Sequence, residues 1–211
     1  MGGPRELTTI LLIRHGDTDA VGKWLAGWSR GVGLNEAGRR QAGRLAERLS
    51  AGPVDAIYSS PLERAWETAG FLGRRLGIPV RECEELREVN FGEWTGRKLE
   101  DLEQDPLWIR FTEWRAVTRA PGGETMLESQ ARVVRGIERM EPAHPGRTVA
   151  AFSHSDIIKA ALAHFAAIPI DLCRRIEISP ASVTVLALDG RFLRLLRIND
   201  TGEWPPPSPK G

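Results

Sequence analysis

The sequence predicts an α/β protein whose largely parallel sheet is covered by helices on both faces. Three observations carry this. Thr8 to Ile13 (TTILLI) is a short apolar, β-branched run that stops abruptly at Arg14-His15-Gly16, the pattern of a strand buried on both sides. Strand-like runs then alternate with helical stripes, the signature of crossover connections. The composition of the 211 residues, 41% hydrophobic and 27% charged, is that of an ordinary globular chain and excludes fibrous or wholly disordered readings.

The elements follow in order. After Thr8–Ile13, Ala42, Leu45 and Leu49 give a helical stripe over residues 36–49. Asp55 to Ser59 (DAIYS) reads as the second strand. Leu62, Ala65, Ala69, Leu72 and Leu76 step by 3, 4, 3 and 4, a single apolar helix face. Thr125-Met126-Leu127-Glu128 is a capping box, in which threonine and glutamate satisfy each other's backbone donors. It opens a helix expected to bury Leu127, Val134, Ile137 and Met140. Thr148 to Ser153 is a strand, and residues 156–167, apolar nearly all round, form a helix against the sheet. Ser182 to Leu188 and Phe192 to Ile198 close the sheet as a hairpin, with Asp189-Gly190 supplying the positive φ angles of its turn. Residues 1–6 and the tail 201–211 (TGEWPPPSPKG) are expected to be loose, leaving one domain over residues 7–200.

Lys plus Arg number 29 against 28 Asp plus Glu, so no overall basic field draws the chain to nucleic acid or anionic lipid. The best membrane candidate, Ile157 to Ile170, is interrupted by Lys159, His164 and Pro169. The first residues lack the order of a signal peptide, and position 6 lacks the hydroxyl of a myristoylation signal. Cys83 and Cys173 have no metal-type spacing, so reduced thiols in a cytoplasmic chain are expected.

Ligands of such sheets bind beyond the carboxyl ends of the strands. Arg14-His15 and Ser153-His154-Ser155 each follow a strand, and Arg64 lies in the first turn after Ala56 to Ser59. An arginine directly after buried residues calls for an anion, and a forked guanidinium matches phosphate with paired hydrogen bonds. His144, in a loop, and His164, on a buried helix, lack this placement and are assigned to structure. Among Glu82, Glu84, Glu85, Glu88 and Glu93, spacing alone selects no proton donor. Gly31-Val32-Gly33 lacks the third glycine of a dinucleotide loop. Most tryptophans serve packing, but Trp28 or Trp94 is expected to line a pocket over the strand ends.

These residues resemble the histidine phosphatase superfamily, whose fold is phosphoglycerate mutase-like, and within it small phosphatases of the α-ribazole phosphatase or broad-specificity type. The matching segments are Leu12 to Thr18, Leu34 to Ala42, Tyr58 to Ala69, Leu86 to Glu88 with Phe91 to Gly96, Pro121 to Thr125, and Phe152 to Ser155, in the family's order. The resemblance implies a three-layer α/β/α sandwich and a metal-free phosphomonoester hydrolase without a cofactor. It implies His15 as the nucleophile that becomes a phosphohistidine and Glu88 as the proton donor. Arg14, Arg64 and His154 would form the phosphate pocket, with Ser155 beside them. Burial near Phe91 or Trp94 is expected to keep Glu88 protonated against the two arginines.

Val21 stands where the family often has asparagine, Ala26-Gly27 where a Gln-Gly pair is common, and Ser155 where many members have glycine. The expected partners are a small phosphate ester and inorganic phosphate as product, with no nucleic acid or membrane; a homodimer is left open. The alternatives are a phosphoglycerate mutase-type phosphomutase and a phosphate-binding module without turnover.

Overall fold

A computed structural model describes residues 7–190 and 192–202. The expected loose ends, residues 1–6 and the tail from 203 onward, lie outside the described residues.

Six strands form one sheet: β1 (Thr8–Arg14), β2 (Ala56–Ser59), β3 (Val80–Glu82), β4 (Thr148–Ser153), β5 (Val183–Leu188) and β6 (Leu193–Asp200), in the spatial order β3-β2-β4-β1-β5-β6. The four strands from β3 to β1 run parallel, and β5 and β6 add an antiparallel pair beside β1. The sheet is therefore mixed. Its helices are α1 (Glu36–Leu49), α2 (Glu63–Leu76), α3 (Leu99–Leu102), α4 (Pro106–Glu113), α5 (Met126–Ala143) and α6 (Ser155–Phe165).

Alternation along β1 sorts the core into two layers. Ile10 and Leu12 join Ile137 of α5 and Ile157 of α6; Leu11 and Ile13 join Leu45 and Leu49 of α1 with Ala69 and Leu72 of α2. The chain leaves β1 toward α1 on one face and leaves the neighbouring β4 toward α6 on the other. Adjacent parallel strands whose connections diverge open a crevice at their carboxyl ends, and here the register pairs Arg14 with Ser153.

Local chemistry fixes the loops around this crevice. Asn35 caps α1 by accepting from the Gly38 N–H at 2.8 Å, a contact typically worth about 1 kcal/mol. Gly16 and Gly38 allow the loop after β1 to press on α1: a Cβ at Gly38 would lie 2.0 Å from the Asp17 carbonyl oxygen, and one at Gly16 would lie 2.6 Å from that of Gly38.

Several expectations need correction. Strand β3 has no apolar signal because it is a three-residue edge strand, Val-Arg-Glu, with little buried. In the β5–β6 turn only Gly190 of the Asp-Gly pair has a positive φ, +75°. Asp189 instead precedes it, and its side chain accepts from the Phe192 N–H at 2.8 Å. At the start of α5, Met126 is buried and Leu127 is 45% exposed, since the helix points its first residue inward. Among the described residues no helix is long and apolar enough to cross a membrane.

Candidate active site

His15 follows β1 directly and its backbone still donates to the Ser153 carbonyl at 3.0 Å. Its ring is 4% exposed. Nδ1 lies 2.6 Å from the Gly16 carbonyl oxygen; a carbonyl can only accept, so Nδ1 carries the proton and Nε2 keeps its lone pair. Burial, then Arg64 and Arg14, hold the His15 pKa well below the ordinary imidazole value. The ring is a neutral base facing cations. Thr68 anchors the turn, its hydroxyl accepting from Gly16 N–H at 3.0 Å and donating to the Arg64 carbonyl at 2.6 Å.

Three groups with unpartnered N–H donors surround this ring. Arg14, last in β1, donates from one terminal nitrogen to the Ile178 carbonyl at 2.6 Å, leaving Nε without a partner. Arg64, on the first turn of α2 and 2% exposed, donates from Nη2 to the Gly27 carbonyl at 2.9 Å and leaves Nη1 unpaired. His154, the N-cap residue just before α6, has its ring centroid 5.2 Å from that of His15. Its Nε2 lies 2.8 Å from Ser60 Oγ. With Nε2 accepting from that hydroxyl, the proton is on Nδ1, which has no hydrogen-bond partner and lies 3.9 Å from Glu88 Oε2. Leaving buried donors unpaired is costly, more so when they are charged, and an oxyanion with several oxygens would satisfy all three.

Glu88 is carried by a loop tied down from several sides. Arg132 of α5 donates to the carbonyls of Glu84, Glu85, Arg87 and Glu88 and pairs with Glu124 at 3.0 Å. The Trp28 indole N–H donates to the Glu88 carbonyl at 2.6 Å, with the Arg87 guanidinium 4.5 Å above the indole. The Glu88 carboxyl is pushed up to about 7, first by burial and then by the Asp156 carboxylate, against the opposing pull of Arg64, the Val89 N–H and Arg14. Burial favours the neutral form of Asp156 too, but Arg115 and then Lys159 outweigh it and hold that carboxyl below its usual range. Arg115 is 3.3 Å from Asp156.

Arg14, His15, Arg64, Glu88 and Ser155 line one cavity of about 190 Å³, with His154 packed against His15. The two tryptophans do not line it. Trp94 is 2% exposed and packs edge-on to Trp108 and Phe111 at 5.2 and 5.3 Å, while Trp28 supports the Glu88 backbone. The wall tryptophan is Trp24, with Ala20, Val21, Leu25, Phe91 and Leu99. Sequence reasoning missed Asp156, Ser60 and Arg115. The available signal for Asp156 was its being the one acidic residue of a mostly apolar helix. Among the described residues no group of three or more His, Cys, Asp or Glu is placed to hold a metal ion.

A family model described as the histidine phosphatase superfamily (branch 1) matches residues 10–201. A bifunctional protein of Mycobacterium tuberculosis is 38% identical over 158 residues, 74% of this chain and 43% of that protein; the chain thus spans less than half the length of that relative. Glucosyl-3-phosphoglycerate phosphatase of the same organism is 34% identical over 171 residues, 76% of each chain. Among solved structures, YhfR of Bacillus stearothermophilus superposes with a TM-score of 0.84 at 32% identity, over 92% of this chain and 97% of that one.

Proposed function

Because this chain belongs to the histidine phosphatase superfamily, we propose that it hydrolyses small phosphomonoesters through a phosphohistidine formed on His15. The observation that carries this reading is the Nδ1–Gly16 hydrogen bond, which leaves Nε2 of a neutral imidazole as the nucleophile in a cationic cavity. Nε2 attacks phosphorus in line, a P–N bond forms and the ester P–O bond breaks. Glu88, protonated near neutral pH, gives its proton to the leaving oxygen. In the second step the Glu88 carboxylate takes a proton from water, the water oxygen bonds to phosphorus, and the P–N bond breaks to release inorganic phosphate. Arg14, Arg64 and the His154 N–H stabilise charge developing on the phosphoryl oxygens, and the Ser155 backbone at the α6 N-terminus lies beside them. This chemistry calls for no metal, cofactor, nucleic acid or membrane. A reducing, cytoplasmic setting would keep the buried Cys83 and Cys173 as thiols.

Brief mixing with 32P-labelled benzyl phosphate and a denaturing quench under conditions that preserve phosphohistidine is expected to leave label on His15 and none on His15→Ala. Label absent from the wild type would leave only a phosphate-binding module; a parallel assay with 3-phosphoglycerate, which has a second hydroxyl, giving 2-phosphoglycerate rather than free phosphate would mark a mutase.

A further inference from the structure

Resting on that hydrolase reading, we propose that the leaving group of the substrate is an uncharged, largely apolar alcohol, and that the cavity rejects esters bearing a second anion. The cavity divides chemically into two halves. One half holds Arg14, His15 and Arg64, whose positive charge matches the dianion of a phosphomonoester. The other half is walled by Ala20, Val21, Trp24, Leu25, Phe91 and Leu99, and the remaining ionisable groups among the described lining residues are the carboxyls of Glu88 and Asp156.

Among the described residues that line the cavity, Arg14 and Arg64 are the only cations. Both flank His15, and each already gives one nitrogen to a backbone carbonyl, of Ile178 and Gly27. Arg115 offers no further positive charge. It is 3% exposed, its guanidinium pairs with Asp156 at 3.3 Å and contacts Cys173 Sγ at 3.4 Å, and it lies 5.5 Å over the Phe111 ring. A carboxylate or second phosphate on the leaving group would meet an apolar wall with no counter-ion among the described lining residues, beside the Asp156 carboxylate. An uncharged alcohol of matching shape would instead bury apolar surface against that wall and could donate a hydroxyl to Asp156. A mutase, which must seat a phosphorylated partner group in this same half, meets the same obstacle.

The test uses two esters with closely similar leaving groups, benzyl phosphate and 4-carboxybenzyl phosphate, assayed with the full chain for released phosphate. The wild type is expected to favour benzyl phosphate in kcat/KM by at least about tenfold, the scale of an unrelieved like-charge contact. Val21→Lys, adding a cation to the wall, is expected to narrow that ratio about fivefold, the upper end for a partly exposed ion pair. Equal or better turnover of the carboxylated ester by the wild type overturns the proposal, as does an unmoved ratio in Val21→Lys. Release of phosphate from neither ester, with no label on His15, would instead strike at the hydrolase reading.

Discussion

Burial moves the titrations of Glu88 and His15 in opposite directions, in each case favouring the neutral form. For Glu88 the pKa of about 7 means that folding disfavours the ionised form. Below pH 4.5 both folded and unfolded chains are protonated and nothing is lost. As pH rises toward 7 the unfolded chain releases its proton first, so stability falls, by up to about 3 kcal/mol once pH passes 7. Glu88→Gln is expected to recover most of that above pH 7 and nothing at pH 4.5, read from urea midpoints at the two pH values. The same variant should slow benzyl phosphate by about 100-fold or more, the usual share of an acid catalyst, while barely affecting 2,4-dinitrophenyl phosphate, whose phenolate leaves unaided. Wild-type turnover of the benzyl ester should decline above pH 7, and the depressed His15 pKa should keep the nucleophile neutral below pH 6.5. At this scale Arg14 was legible because a guanidinium straight after a buried strand must find an opposite charge to offset its desolvation, and His15 and Arg64 because each comes soon after the carboxyl end of a strand. Asp156 was not, since a lone carboxylate reads as solvated until Arg115 is found behind it. Trp94 was misplaced because its neighbours, Trp108 and Phe111, come from α4, which no periodicity announced.

Elements position these groups through backbone contacts more than through side-chain pairs. The Glu88 segment belongs to no long helix or strand; Arg132 substitutes for one by holding four of its carbonyls. Arg132→Met, which keeps length and loses the donors, is expected to lower kcat for benzyl phosphate more than for 2,4-dinitrophenyl phosphate, with KM little changed. A purely structural role would lower both rates together. The capping box at Thr125 was plain in the sequence, and the structure has its reciprocal Thr125–Glu128 bonds, whereas the Asn35 cap of α1 emerges only from the structure. The short β3, α3 and α4 were invisible because three to eight residues give too few repeats for a period to register, and tertiary contacts decide them.

At the level of the whole molecule, the crevice between β1 and β4 gathers cations that repel one another until an anion arrives. Inorganic phosphate at about 100 times its dissociation constant should therefore stabilise the fold by about 2.7 kcal/mol, raising Tm by roughly 5–10 °C for a chain of this size. Differential scanning fluorimetry is expected to show that shift in the wild type and little of it in Arg64→Ala. The mixed sheet was legible in outline, since a β-branched run and alternating patterns point to parallel strands, whereas the direction of β5 beside β1 depends on pairing across the chain. The stretch from Arg97 to Val117 contributes Leu99 to the cavity wall and Arg115 behind Asp156, yet contributes no strand to the sheet. Growth or shortening of that stretch would leave the spacing of the two imidazoles untouched. Descendants of such a scaffold can thus diversify in what they admit by changing loop length alone, keeping one reaction while exchanging its clientele.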